Sequence, residues 1–132
     1  MSKSFLKKII AQSTSDLQMI SACCYEAKIK LAEIKYLKKN KIFLISLERY
    51  SLETENKNKK INSVIKFEYI ESSKSKNINQ INREITLKLI AIDVYKNKNN
   101  YEIILLFSNN GIITLYAEIM EVTLEDLRQV DD

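Results

Sequence analysis

The chain contains no histidine, which removes the usual general base, the second member of a nucleophilic dyad and the commonest metal ligand. Acid–base or covalent work would fall to carboxylates, lysine, tyrosine or cysteine. Cys23 and Cys24 are the only cysteines, and they are adjacent. A disulfide between neighbours closes a strained ring, and two thiols without histidine cannot complete a tetrahedral zinc site in one chain. Reduced, metal-free thiols on a helix are the expectation. Asp93 interrupts the apolar run Leu89-Ile90-Ala91-Ile92 ahead of Val94. Such a residue marks either the solvated end of a strand or a carboxyl of raised pKa. Glu118 and Glu121 fall on opposite faces of one extended segment, so they do not converge as a glycosidase-like pair. The single glycine, Gly111, is too few for a phosphate-cradling loop or a dinucleotide fingerprint. Neither catalysis nor a bound cofactor is expected.

Binding is the remaining chemistry, and two kinds of residue offer it. Lys57, Lys59 and Lys60 form a candidate basic surface, and further lysines lie in the polar stretches 38–41, 72–83 and 96–100. In a meander, the first two of these stretches would share one end of the sheet. None of them carries the interleaved aromatics that stack on single-stranded nucleic acid. The net charge of +4, from 21 basic and 17 acidic residues, is also modest. Specific nucleic-acid binding is therefore not expected, and a ribosome-associated or nucleic-acid-associated role is the alternative reading. The second kind is apolar. Ile103-Ile104-Leu105-Leu106-Phe107 is hydrophobic in both phases of a strand, whereas a two-layer domain needs only one dry face. A curled sheet, a terminal helix or a second subunit must cover the other. Ile104, Leu106 and Phe107 are thus candidate partner-binding residues, with Arg49 and Tyr50 as polar and aromatic anchors.

The elements that hold these residues follow from periodicity. Phe5 to Ala11 predicts a short opening strand. Ser15 as N-cap, with Gln18 three residues on, predicts an amphipathic helix over 15–28 whose stripe is Leu17, Ile20, Cys24 and Ala27. Strands follow over 29–37, 42–52, 64–71, 85–95, 101–108 and 112–122, separated by polar connections at 53–62 and 72–83. In the strand 64–71, Ile65, Phe67 and Tyr69 share the dry face. Asn110-Gly111 between two β-rich runs predicts a tight hairpin with positive φ at both residues. Thr123-Leu124-Glu125-Asp126 resembles a helix start, although the strand can instead continue. The fold class is α+β: a mainly antiparallel sheet of six to seven strands, one N-terminal helix packed on it, and a possible short C-terminal helix.

At 132 residues and 15.4 kDa, 45% hydrophobic and 29% charged, the chain suits one globular domain over 1–132. No apolar run is long enough to span a membrane, and Lys7 and Lys8 break up any secretory leader. A cytoplasmic setting is expected.

Four segments carry a family likeness: Phe5 to Ala11; Asp16-Leu17-Gln18-Met19-Ile20-Ser21-Ala22; Tyr36-Leu37-Lys38-Lys39 with Leu47-Glu48-Arg49-Tyr50; and Gly111 through Glu118 to Leu127. In this order they resemble the alphaproteobacterial family called domain of unknown function 2948. The family tends to have proline where this chain has Lys38, tryptophan where it has Leu52, and a glycine cluster where it has Ser108-Asn109-Asn110-Gly111. The resemblance implies a small cytoplasmic bacterial protein and brings no activity with it. The leading expectation is a non-catalytic protein-interaction or self-associating module. A small-ligand carrier with a pocket between helix and sheet is a further alternative.

Overall fold

The computed structural model describes residues 6–50 and 60–130. In chain order the elements are β1 (Lys8–Ala11), α1 (Thr14–Cys23), β2 (Ala27–Lys30), β3 (Ile34–Leu37), β4 (Ile42–Tyr50), β5 (Lys60–Lys76), β6 (Thr86–Lys96), β7 (Tyr101–Phe107) and β8 (Ile112–Val130). All eight strands belong to one sheet of order β1-β8-β5-β4-β2-β6-β7, with β3 paired to β4 and β7 paired a second time, to β8. Every pairing is antiparallel. The β7–β8 pairing closes β8, β5, β4, β2, β6 and β7 into a ring, so the curled sheet is a barrel rather than a meander. The sheet has one strand more than expected because the segment 29–37 breaks at a 3-10 turn, Leu31–Glu33, into β2 and β3.

β8 makes the closure possible. One of its edges lies against β5 along nearly its whole length, while the other is shared between β7, at Ile112–Ala117, and β1, at Val122–Glu125. The helix start expected at Thr123 is absent. Val122, Leu124 and Asp126 point inward while Thr123 and Glu125 point out, a period-2 pattern that buries nothing as a helix. Strand pairing on both sides fixes the choice.

Alternation elsewhere fills the barrel. Phe43, Ile45 and Leu47 of β4, Ile65 and Phe67 of β5, Ile103, Leu105 and Phe107 of β7, and Leu115 and Val122 of β8 form one buried cluster. Phe43 and Phe67 face each other across β4 and β5 with ring centroids 6.1 Å apart at 70°. Tyr69 does not join them. A register shift in β5 puts it at φ 61° with its side chain exposed, and Ile70 takes the inward place.

The helix is shorter than its periodicity suggests and starts earlier. Ser13, not Ser15, is the N-cap: its backbone is extended and its Oγ accepts the Asp16 N–H at 3.2 Å. Leu17, Ile20 and Cys24 cover the core beside β1 and β6, and Ala27 already belongs to β2. At the β7–β8 hairpin the positive φ values fall on Asn109 and Asn110. Gly111 is extended at φ −71°. Its lack of a side chain leaves room for a neighbour, since a Cβ there would stand 3.1 Å from Ile78 Cγ1, tight enough that the Ile78 side chain would have to shift.

Candidate functional site

Two features of this barrel depart from a plain apolar core with a solvated surface. The first lies inside. Arg49 stands in the inward phase of β4 after Phe43, Ile45 and Leu47; Ser63 stands in that of β5 between Ile61 and Ile65; and Asp126 follows Val122 and Leu124 in β8. Arg49 is wholly buried and Asp126 is nearly so. Their contact is bidentate, with Arg49 Nη2 donating to Asp126 Oδ2 at 2.6 Å and Nε donating to Oδ1 at 3.0 Å. Ser63 Oγ donates to Oδ1 at 2.6 Å, and the Lys7 N–H donates to Oδ2 at 2.8 Å. The Asp126 N–H in turn donates to the Lys7 carbonyl at 2.9 Å. A forked guanidinium–carboxylate pair is the strong form of a charged hydrogen bond. Burial by itself raises the Asp126 carboxyl, but the bonds from Arg49, Ser63 and Lys7 outweigh it and hold the group below the ordinary range. The cluster ties β4, β5, β8 and the entry to β1 together at one end of the barrel.

Arg49 is therefore not an exposed anchor for a partner. Its guanidinium is committed to Asp126, and its Nη1 donates to the Tyr50 carbonyl at 3.3 Å. Tyr50 is half-buried beside Lys60, near the end of β8 marked by Val130, far along that strand from the Ile104 pairing at Thr114.

Cys24, also wholly buried, caps the end of α1 near this pair. Burial pushes its thiol up to about 12, the Arg49 charge offsetting part of the rise. The nucleophile of cysteine is the thiolate, so at pH 8 Cys24 is expected to resist alkylation. Peptide mass mapping after iodoacetamide treatment of the native chain should place the label on Cys23 alone, with both thiols labelled after denaturation. Native labelling of Cys24 would contradict this placement. Both cysteines are free, and among the described residues no group of three or more cysteine or carboxylate ligands gathers as a metal site.

The second feature lies outside. Ile103, Leu105 and Phe107 fill the core, which removes Phe107 from the candidate binding residues. Ile104 and Leu106 point to the opposite face and are half-buried. With Ile112 and Thr114 of β8 they line a groove of about 630 Å³, bounded by Asp93 and Tyr95 of β6 on one side and Lys74 and Lys76 of β5 on the other. Asp93 is thus an exposed residue in the body of β6, not at its end. Tyr95 is 56% exposed. Lys74 and Lys76 stand on the long strand β5 rather than in a polar connection, and Lys74 Nζ lies 5.6 Å from the centre of the Tyr116 ring.

Other surface hollows are more polar. One, of about 370 Å³ across β1, β8 and β5, holds Glu68 and Glu121, which face each other in register. A hydrogen bond with Glu121 raises Glu68 above the ordinary carboxylate range, and one from Gln12, at 2.8 Å, lowers Glu121. Glu118 instead turns to Glu71 and Lys41, which bond each other at 2.8 Å, and so does not converge with Glu121. Another hollow, of about 660 Å³, brings Lys28, Lys30 and Arg128 together with Glu33 and Glu48. Lys60 is half-buried at the start of β5, with Nζ 3.7 Å from Glu48. Lys57 and Lys59 lie outside the described residues, as does most of the polar connection 53–62. Cations and carboxylates alternate here, unlike the single-sign track that follows a phosphate backbone.

Fold and surface together define a small antiparallel barrel with a filled interior, closed by its final strand and carrying an apolar-floored groove on its outer wall. By sequence, the family model described as "Protein of unknown function (DUF2948)" matches residues 7–131, and the chain belongs to that family. No curated protein and no solved structure matches it. No helix among the described residues is long and apolar enough to cross a membrane.

Proposed function

We propose that this chain is a non-catalytic interaction module that docks a protein partner on the outer face of β5, β6, β7 and β8, with Ile104 and Leu106 at its centre. The observation carrying the reading is that Ile104, Leu106 and Ile112 lie on the outer side of a barrel whose core is already complete, where they floor the groove of about 630 Å³. Water contact with that floor costs roughly 25 cal/mol per Å² of apolar area, which a partner's apolar surface relieves. Tyr95 at its edge is the kind of exposed aromatic that carries binding energy at interfaces. Two adjacent free thiols accord with a reducing, cytoplasmic setting.

The test is site-directed photocrosslinking in living cells. A p-benzoylphenylalanine in place of Leu106 or Ile104 should give discrete crosslinked products on irradiation, whereas the same residue in place of the exposed Lys28 or Glu125 should not. Equal products from all four positions, or none from the first two, would remove the support for this face.

A further inference from the structure

We infer that the partner on this face is a second copy of the same chain, related by a twofold axis that lies in the interface, parallel to the strands and between β7 and β8. The inference rests on the docking face proposed above and names its occupant.

The register supplies the argument. Asp93, Ile104, Thr114 and Lys74 form one row across β6, β7, β8 and β5, because Asp93 pairs with Ile104, Ile104 with Thr114, and Thr114 with Lys74. In the next row Leu106 pairs with Ile112 and Ile112 with Lys76. The face therefore carries a carboxylate at one margin, cations at the other, and Ile104, Leu106 and Ile112 with Thr114 in the middle. A twofold along the strands exchanges the margins. Asp93 of one copy comes opposite Lys74 of the second, Ile104 opposite Thr114, and Leu106 opposite Ile112. Both ion pairs form, Leu106 meets the apolar Ile112, and Ile104 meets the methyl-bearing side of Thr114. A twofold running across the strands keeps each strand over its own copy, and sets Asp93 on Asp93 and Lys74 on Lys74. Like charges in apposition repel and weaken an interface, so charge selects the first axis over the second. Isologous contacts of this kind are the commonest in homo-oligomers.

Size sets the strength. Four strands spaced about 4.8 Å apart, over five residues rising about 3.3 Å each, cover roughly 300 Å² of flat area. That is well below the roughly 800 Å² per partner of a standard stable interface, so the dimer belongs to the weak, transient class.

Sedimentation equilibrium of the full chain between about 5 and 500 µM covers the concentrations over which a weak dimer forms. The wild-type chain should pass from monomer to dimer, and Lys74→Glu or Asp93→Lys should each weaken the dimer by about tenfold or more. The decisive measurement mixes these two variants in equal amounts. Glu at position 74 of one copy then faces Lys at position 93 of the other, the remaining pair keeps its native charges, and affinity should return to within about threefold of wild type. Circular dichroism of each variant checks that the barrel is intact, and recovery on mixing is itself a readout that misfolding cannot produce. A chain that stays monomeric at about 500 µM, or a dimer indifferent to both charge reversals, or a mixture that does not recover, overturns the inference. If the chain is monomeric while position 106 crosslinks to a different protein, the second copy is wrong and the docking face stands. If position 106 crosslinks to nothing, the face falls too.

Discussion

Asp126→Ala is expected to lower the unfolding free energy by about 3–5 kcal/mol, because it strands the Arg49 guanidinium in the core without a counter-charge. The loss is large for a domain whose total stability is on the order of 5–15 kcal/mol. Urea denaturation followed by far-ultraviolet circular dichroism measures it. Removing both partners is a different experiment. With Arg49→Met and Asp126→Leu together, no charge remains to be buried, and the double variant should recover most of that loss, short of the cost of the Ser63 hydroxyl and Lys7 N–H that lose their acceptor. A single variant as stable as the wild type would mean that water reaches Arg49 and that the pair is not sealed. Acid should reproduce part of the effect. The folded-state pKa of Asp126 is depressed, so its contribution is fully present above the unfolded value of about 3.9. It is lost as pH falls through the lower folded-state value. The double variant should lack this component of the acid sensitivity.

Leu105→Ala and Leu106→Ala, one residue apart on β7, should differ several-fold in cost. Leu105 is fully buried in the barrel beside Ile103 and Phe107, and truncating it opens a cavity that the closed ring cannot collapse. A loss of about 2–5 kcal/mol follows. Leu106 faces the outer groove and is already half-exposed, so the same truncation should cost about 1 kcal/mol or less. Thermal or urea unfolding at micromolar concentration, where the weak dimer is dissociated, separates the two. Comparable losses at both sites would place Leu106 in a second core and undo the outer-groove reading.

How far the sequence revealed these arrangements depends on whether local pattern or distant pairing decided each one. The stretch Val64 to Glu71 of β5 announces itself by alternation, and the hydrophobicity of both phases of Ile103 to Phe107 does mark an outer apolar face. It did not say which phase was the core, and Phe107 fell inside. The hairpin was legible from Asn110-Gly111, but its backbone assignment was not. Asparagine tolerates the left-handed region too, so the turn moved one residue towards the N-terminus and left Gly111 to accommodate Ile78. Ser13 and Ser15 are both acceptable N-caps by type, and only the fold chooses between them. The helix signal at Thr123 was real local chemistry, overridden by strand partners distant in sequence.

The buried ion pair was missed although its signal is present. Arg49, Ser63 and Asp126 each sit in phase with core residues: Phe43-x-Ile45-x-Leu47-x-Arg49, Ile61-x-Ser63-x-Ile65-x-Phe67 and Val122-x-Leu124-x-Asp126. A basic, a hydroxyl and an acidic residue, each on the dry phase of its own strand, must satisfy one another, because a lone buried charge is too costly. Reading Arg49 as a surface anchor ignored that phase. What no phase could supply was the ring, since the pairing of β8 with three other strands depends on the whole topology.

That dependence has a consequence for how the molecule comes into being. β1, β5 and β7, the three strands that β8 joins, all precede it in the chain. On the ribosome, synthesis runs from the N-terminus, so β5 and β7 can pair with β4 and β6 while the edge that each turns to β8 stays open until the segment from Ile112 to Val130 has been made. A ring closed by its latest-made strand is expected to be completed in a late event, after translation of that segment. Because its pairings link residues as far apart as Lys8 and Glu125, the event belongs to the slower, millisecond-to-second class of folding reactions.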